Sequence, residues 1–380
     1  MNFALTEEQR LLKESADRFV EKEYTFDARK KILASEPGFS RKVWAQFAEL
    51  GWLGMAFPES AGGFGGSAVE VAVLMEAIGK GIVVEPFLST VVLGGGALLA
   101  GGGRHEVLEG VIAGTTLLAL AYAEPKSRYN LADVSTKAAR QGAGFVLDGH
   151  KSVVLHGGSA DRLVVSARTG GGQRDEDGIT LFLVDANAKG VSRRDYRTVD
   201  GHRAAEIKFE HVAVGADAAV GPVDGGFALL DRTIERGMAA VAAEAVGLMQ
   251  VMTKMTQEYL KTRVQFGAPI GVNQVLQHRL VEMFMAQELS QSMAYMAAIK
   301  LDDEDSIERT KAVTAAKAQI GQAGRKLGQE AIQMHGGIGM TDELALGHYF
   351  KRLTMIDTMF GNADYHLRRF ADLAASARAA

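Results

Sequence analysis

The spacing of apolar residues changes twice along this chain of 380 residues. Up to about residue 116, apolar residues recur every three or four positions, which is typical of amphipathic helices. Between about 117 and 226, short runs rich in apolar residues alternate with Gly- and Asp-rich turns and predict strands. From about 227 onward, long helical patterns return. The sequence therefore predicts an α+β fold with an N-terminal helical domain (1–116), a central β domain (117–226) and a C-terminal four-helix bundle (227–380).

Individual elements follow from the same patterns. Strands are predicted at 144–148, 162–166, 180–184 and 205–209, and no helical pattern lies between them, which favours an antiparallel sheet or barrel. C-terminal helices are predicted at 229–262, 274–300, 306–335 and from 362 to the end. Thr6 and Ser67 are predicted to cap helices, with Gln9 completing a capping box at Thr6.

The composition excludes several kinds of chemistry. The chain has no cysteine, which excludes disulfides, thiolate nucleophiles and cysteine-ligated metals. Its net charge of −4, with Lys and Arg scattered evenly, provides no basic face for nucleic acid. We find no signal-peptide pattern and no apolar run of about 20 residues, so we expect a cytoplasmic protein without membrane insertion. Motifs for a Walker loop, a nucleophile elbow, a His-Glu-x-x-His metal site and a Rossmann dinucleotide fold are also absent, and no metal site is predicted.

Two segments carry the strongest functional signal: 263–274 (RVQFGAPIGVNQ) and 333–340 (QMHGGIGM). The guanidinium of Arg263 offers a planar fork of donors that suits paired phosphate oxygens, and Gly336 and Gly337 permit close approach of backbone to a ligand. The alternatives are that Arg263 is a surface cation at a helix C-terminus and that the glycines end a helix. His335 has no matched partner in the sequence and is predicted to pack or form hydrogen bonds rather than to catalyse.

These two segments, their separation and the helix–strand–helix order resemble the acyl-CoA dehydrogenase family over essentially the whole chain. Among its branches, the sequence is most similar to the small subunit of pimeloyl-CoA dehydrogenase. The resemblance implies FAD as cofactor, α,β-dehydrogenation of an acyl-CoA, and an electron-transfer flavoprotein as oxidant. It also implies that FAD is bound by Arg263 at the pyrophosphate, Phe266 and Gln274 on the adenine side, and Gln333, Gly336 and Gly337 across a subunit interface.

Sharing of the cofactor between chains implies an oligomer, either homomeric or heteromeric, of dimeric or tetrameric size. In the heteromeric case, the partner is a larger homologous subunit. The implied substrate is pimeloyl-CoA or another dicarboxyl or bulky acyl-CoA.

The sequence departs from the family where the catalytic base is expected. Removal of an α-proton requires a carboxylate opposite the flavin. The family's Tyr-Glu-Gly-Thr segment matches Met359-Phe-Gly-Asn362 here, so Phe360 occupies the base position, and Gly237 occupies the alternative one. The weak substitutes are Asp364, predicted one turn beyond Phe360 on the same helix face, and Glu235, two residues before Gly237. Both acids are alternatively solvated helix residues.

The segments that hold the flavin ring in the family are also altered. Ala123 stands in place of a threonine, and Val153-Val-Leu155 stands in place of a Trp-x-Thr strand motif. Residues for the adenosine diphosphate half are therefore retained, whereas those for the ring and the base are not. Three interpretations stay open: an acyl-CoA dehydrogenase subunit, a non-catalytic FAD-supporting subunit of a heteromeric enzyme, and a related acyl-CoA oxidase.

Overall fold

The structure, a computed structural model, describes residues 4–379, with side chains described up to residue 375. Within this range the chain forms two compact units. The helical unit contains 4–31, 67–83 and 238–379, and the β unit contains 32–66 and 84–237. The region predicted as an N-terminal helical domain is helical, but its residues are divided between these two units.

Two α-helices begin at cap residues that the sequence predicts. Thr6 Oγ1 accepts from Gln9 N at 3.2 Å and Ser67 caps the fourth helix in the same way, with Glu70 as the reciprocal partner, so both predicted caps are confirmed. The α-helices are α1 Glu7–Glu23, α2 Phe26–Ala34, α3 Arg41–Glu49, α4 Ala68–Gly81, α5 Gly96–Ala100, α6 His105–Ile112, α7 Gly226–Thr262, α8 Gln274–Lys300, α9 Ser306–His335, α10 Leu346–Thr358 and α11 Ala363–Ala379.

Shorter helical segments complete the chain. A π-helical segment covers Leu88–Gly95, and 3₁₀ turns cover Trp52–Gly54, Glu59–Ala61, Ala216–Ala218, Ile270–Val272 and Gly336–Met340. Among the helices of residues 4–379, none combines the length and apolar character that a membrane crossing requires.

One sheet dominates the β unit, with strand order β6-β7-β3-β2-β4-β5-β8 and β1 beside β4. Most neighbours pair antiparallel as predicted, but β1 pairs parallel with β4, and β2 meets β4 in parallel at one position. The parallel pairs of β4 are the exception to the predicted antiparallel sheet: the β2–β3 hairpin lies between β1 and β4 in the chain and provides the long connection that the β1–β4 pair needs. The strands are β1 Leu118–Ala121, β2 Lys137–Gln141, β3 Gly144–Leu155, β4 Arg162–Arg168, β5 Ile179–Asp185, β6 Val191–Arg197, β7 Arg203–Val214 and β8 Ala219–Val220, with a separate hairpin of β9 Val264–Gln265 and β10 Ala268–Pro269.

The apolar core of the β unit lies on the inner side of this sheet. Alternate residues of its strands point into it, and the residues between them are also buried in β1, β4 and most of β5. Side chains no more than 3% exposed form this core, among them Phe145, Leu163, Phe182, Ile207 and Phe209.

Between residues 226 and 379, the structure contains five α-helices rather than the predicted four. The predicted bounds of α8 and α9 agree with the structure, but α10 was missed. A charged residue on its buried face interrupts the apolar period: Arg352 makes a bidentate ion pair with Glu244 of α7 at 2.6 and 2.8 Å. From the sequence alone, Arg352 is expected on the surface, because arginine is usually exposed. In the structure it is 4% exposed.

Candidate functional site

Phe266 lies at the tip of the β9–β10 hairpin. Phe266 and Gly267 occupy the two turn positions with φ values of 52° and 82°, the signature of a type I′ turn. The Phe266 side chain is 105% exposed, so it makes almost no contact within its own chain. A phenylalanine with a left-handed backbone and no packing partners does not stabilise the isolated chain. This indicates that Phe266 contacts another molecule.

Arg263 connects the end of α7 to this hairpin. Its backbone N–H donates to Tyr259 O, and its carbonyl accepts from Ile270 N, both at 2.8 Å. The side chain is exposed, and no hydrogen bond or ion pair joins its guanidinium to any side chain or backbone group described between residues 4 and 375. Its position after the last residue of α7 is favourable for a cation, but all five donors stay available for a ligand.

Gly336 ends α9 with a φ of 66°, which makes it the C-cap glycine of that helix. A Cβ atom built at Gly336 or at the neighbouring Gly337 meets no atom within 4 Å. Gly337 does not have a left-handed φ. Packing within this chain therefore gives no reason for glycine at 337, and close approach of a ligand to the backbone does.

His335, in the second motif, packs against the end of α7, the helix that precedes Arg263. Its ring stacks on Tyr259 at 4.4 Å between centroids, and its Nδ1 lies 2.8 Å from Ala331 O. Burial lowers the pKa of His335, and its ring packs on Tyr259 and forms a hydrogen bond, as the sequence predicted. The ion pair between Arg279 of α8 and Glu330 of α9 then places the start of α8 beside the same helix.

The predicted cofactor residues therefore share one region of the helical unit. Gln274 is the first residue of α8 and is exposed, and Gln333 is exposed in the last turn of α9. Together with Arg263, they provide a guanidinium and two amides in the same unit as the exposed ring of Phe266 and the bare backbone of Gly336 and Gly337. This donor set fits the adenosine diphosphate half of FAD, which presents a diphosphate and an adenine.

The segments predicted to face the flavin ring lie in the β unit. Ser152 N donates to Ala123 O at 2.9 Å, so the two segments adjoin. Val153 has a φ of 52° and is 50% exposed, at a bulge between Lys151 and Val154. Because Ala123, Val153 and the half-buried Leu155 carry no polar side chain, the ring half of the site lacks side-chain donors at these positions.

A buried ion pair lies directly beneath these ring segments, and sequence reasoning missed it. Lys151 Nζ lies 2.8 Å from Glu124 Oε1 and 3.0 Å from Ser166 Oγ. Glu124 also accepts from the backbone N–H groups of Ser135 at 2.8 Å and Thr136 at 3.0 Å. Burial raises the pKa of Glu124, but Lys151 and these donors outweigh it and hold the pKa below its usual range, while burial lowers that of Lys151. The only sequence signal was an isolated Lys next to a strand run.

The structure corrects the predicted relation between Phe360 and Asp364. Helix α10 ends at Thr358 and α11 begins at Ala363, so the two residues do not share a helix. Phe360 and Gly361 have φ values of 58° and 113°, and these positive values interrupt the helix between α10 and α11. Asp364 is exposed in the first turn of α11, and the predicted spacing of one turn on one face is wrong.

The second weak candidate, Glu235, lies inside α7 and is 1% exposed. Two residues along a helix correspond to a rotation of about 200°, so Glu235 faces away from the direction of Gly237. Neither Glu235 nor Asp364 thus stands at a position that matches the family's base, and their roles stay predictions.

Comparison with known proteins identifies the family to which this chain is similar. Models of the acyl-CoA dehydrogenase N-terminal, middle and C-terminal domains match residues 6–114, 119–212 and 224–374. A cyclohex-1-ene-1-carbonyl-CoA dehydrogenase of Geobacter metallireducens is 30% identical over 335 residues, covering 85% of this chain and 86% of that protein. Subunit CarC of the caffeyl-CoA reductase-Etf complex of Acetobacterium woodii is 27% identical over 354 residues, covering 91% and 92%. The solved ChsE4-ChsE5 complex from Mycobacterium tuberculosis matches with a TM-score of 0.89 and 26% identity over 99% of both chains.

The fold and these matches define an FAD-dependent oxidoreductase. The chain belongs to the acyl-CoA dehydrogenase family, as its three consecutive domain matches and full-length relatives show. The predictions of family, fold class and cofactor are thereby confirmed.

Proposed function

We propose that this chain is one subunit of a heteromeric acyl-CoA dehydrogenase. It holds the adenosine diphosphate half of an FAD whose ring site and catalytic base belong to a larger homologous subunit. The observation that carries the proposal is the contrast between two regions. Arg263 is exposed with all its donors available, whereas Phe360 and Ala123 stand where a base and a ring donor are needed.

Each retained residue has a distinct role in this arrangement. The Arg263 fork binds two oxygens of the diphosphate and stays charged at any physiological pH. Phe266 lies against the adenine side, and the amides of Gln274 and Gln333 donate to or accept from the same half. Backbone at Gly336 and Gly337 approaches the cofactor where a side chain would intervene.

An exposed apolar face on α8 supports assembly with another chain. Val281, Phe284, Met285 and Leu289 are each more than half exposed. Their spacing of three and four residues places them on one side of the helix. An apolar stripe of this kind, like the exposed ring of Phe266, fits a subunit interface, and we propose a dimer or tetramer.

The proposed reaction is α,β-dehydrogenation of an acyl-CoA. When bound, FAD supplies the hydride acceptor for the β-hydrogen. The base that takes the α-proton comes from the partner subunit, because Phe360 has no group that accepts a proton. We propose pimeloyl-CoA or another dicarboxyl or bulky acyl-CoA as substrate. An electron-transfer flavoprotein is the proposed oxidant, and a relative named for an Etf complex supports it.

Substitution of Arg263 tests the cofactor role. The complex is isolated from the native host with its partner, and FAD affinity is compared for Arg263→Ala and for Lys261→Ala, an exposed neighbour paired with Glu258. Loss of charge-assisted hydrogen bonds of about 1.5–3 kcal/mol predicts FAD binding weaker by roughly 10–100-fold for Arg263→Ala only. Equal FAD affinity in both variants would contradict the proposal.

Amide substitutions test where the base is. Glu235→Gln and Asp364→Asn in the complex are expected to leave flavin bleaching by acyl-CoA intact. If either variant abolishes bleaching while FAD stays bound, that carboxylate is the base and the partner does not supply it. Peroxide formation during aerobic turnover would instead indicate an oxidase.

A further inference from the structure

The outer face of the sheet in the β unit carries a cavity that the proposed function does not use. The cavity has a volume of about 470 Å³, which is within the range of small-molecule sites, and residues of β3, β6 and β7 line it. On β7, Ala205 and Ile207 are buried in the core, so Glu206 and Lys208 point to the opposite face of the sheet. The cavity therefore lies on the side of these three strands that faces away from the core.

The pairing of these strands brings the lining side chains into two adjacent rows. Lys208 lies opposite Ser192 of β6 and opposite His150 of β3. In the next row, Glu206 lies opposite Arg194 of β6. Because residues directly opposite each other share a face of the sheet, all five side chains belong to one group around the cavity.

Glu206 is the one acid among the described residues that line the cavity, and its carboxylate already has partners. Its Oε2 lies 2.7 Å from His150 Nε2, and its Oε1 accepts from the hydroxyl of Tyr196 at 3.3 Å. Because a carboxylate only accepts, His150 Nε2 carries the proton and donates. Arg194 lies directly opposite Glu206, yet no ion pair joins these two residues in the described part of the chain. The charge of Arg194 is therefore not neutralised by the acid across from it.

Two cations at the cavity are available to a ligand. Between residues 4 and 375, no hydrogen bond or ion pair joins the guanidinium of Arg194 or the ammonium of Lys208 to another group, and both side chains are exposed. Arg193 differs, because its guanidinium donates to Ala160 O at 3.0 Å and to Asn187 Oδ1 at 2.9 Å. Two unpaired cations on adjacent strands repel each other, and a bound anion would remove this cost.

The donors around the cavity suit the oxygens of a phosphate group. The planar fork of Arg194 binds two phosphate oxygens, Lys208 adds a point charge, and Ser192 adds a hydroxyl. A cavity of about 470 Å³ also has room for an organic group attached to the phosphate. We propose that this cavity binds a small phosphate monoester, and we call it the outer-face site (His150, Ser192, Arg194, Glu206 and Lys208). It shares no residue with the segments 263–274 and 333–340, so the inference does not depend on the proposed function.

Calorimetric titration of the full chain with glycerol 3-phosphate tests the outer-face site, with glycerol as the ligand that lacks the phosphate. Saturable binding of the ester and none of glycerol is expected. Arg194→Met and Lys208→Met are each expected to weaken this binding by about tenfold or more, because each removes a charge-assisted hydrogen bond. Their free energy of unfolding is expected to stay that of wild type, since both side chains are exposed. Lys189→Met, an exposed lysine outside the cavity, is the control for loss of charge alone.

Glu206→Gln tests the sign of the charge effect. Removal of the acid that lines the cavity is expected to tighten binding of the ester by roughly threefold. Glu210→Gln is the matched control, because Glu210 is exposed on the same strand but does not line the cavity. An equal gain in both variants would mean that the ester responds to general surface charge, and would overturn the site.

Three further outcomes would contradict the outer-face site. The first is a wild-type chain that binds glycerol 3-phosphate no better than glycerol. The second is an equal loss of affinity in Arg194→Met and Lys189→Met. The third is binding to vesicles that contain phosphatidic acid without any binding of the soluble ester, which would indicate a lipid surface instead. Arg263→Ala is expected to bind the ester as tightly as wild type, so the outer-face site and the proposed cofactor site are tested separately.

Discussion

Lys151 Nζ and Glu124 Oε1 lie 2.8 Å apart in an ion pair whose side chains are 0% and 4% exposed. The pair joins β3 to the segment after β1, next to the hydrogen bond from Ser152 N to Ala123 O. The pair therefore fixes the backbone of the two segments predicted to face the flavin ring, in which Ala123, Val153 and Leu155 carry no donor side chain.

Replacement of Lys151 by Met leaves the carboxylate of Glu124 buried without its cation. We expect a loss of about 3–5 kcal/mol in the free energy of unfolding. The double variant Lys151→Met with Glu124→Gln is expected to recover part of this loss, since no charge is then buried. Urea unfolding of both, with exposed Lys189→Met as control, checks the prediction. A loss below about 1 kcal/mol would contradict the account of the pair.

Replacement of Gly337 by Ala separates folding from cofactor binding. A Cβ there meets nothing within 4 Å in this chain, so we expect the free energy of unfolding to change by less than about 1 kcal/mol. In the complex, the added methyl group stands between backbone and cofactor, and FAD affinity is expected to fall by about tenfold or more. If the variant is as stable as wild type and binds FAD as tightly, Gly337 does not contact the cofactor.

Phe266 gives a prediction about assembly. In Phe266→Ser, a fully exposed ring is lost, so the free chain is expected to be as stable as wild type or slightly more soluble. Assembly with the partner is expected to weaken, because an interface residue of this kind contributes on the order of 2 kcal/mol. Analytical ultracentrifugation of wild type and variant measures the difference. The exposed Val272→Ser, at the end of the same hairpin region, is the matched control.

The pKa of Lys317 predicts a specific dependence of stability on pH. Burial lowers this pKa from 10.5 to about 7, although Asp357 raises it. Between these values the unfolded chain binds a proton that the folded chain does not, so the free energy of unfolding rises with pH. The difference between wild type and Lys317→Met should increase by up to about 1.4 kcal/mol per pH unit above pH 7. Urea unfolding at several pH values checks this, and a constant difference would contradict it.

Much of the fold was predictable because periodicity and caps report local structure. The bounds of α8 and α9 and the cap residues Thr6 and Ser67 agree with the structure for this reason. The parallel β1–β4 pair was not predictable, since strand order depends on contacts distant in sequence. Helix α10 was missed because Arg352 is a charged residue on its buried face, and the ion pair with Glu244 that stabilises it there joins residues far apart in the sequence.

The site shows the same limits. The motif around Arg263 was visible because its residues are close in sequence, and its exposure could be checked directly. The relation of Phe360 to Asp364 was predicted wrongly, because a left-handed turn at Phe360 and Gly361 interrupts the helix and leaves no helical signal. The hydrogen bonds from Lys317 Nζ to the carbonyls of Ile356 and Asp357 join residues about forty positions apart, and no local sequence pattern indicates them.

A flavin count on the purified chain, alone and with its native partner, tests the central claim most directly. The account predicts little FAD and no bleaching by acyl-CoA for the chain alone. With the partner, it predicts one FAD for each pair of chains and bleaching under anaerobic conditions. A chain that by itself binds one FAD per molecule and is bleached by acyl-CoA would contradict the account.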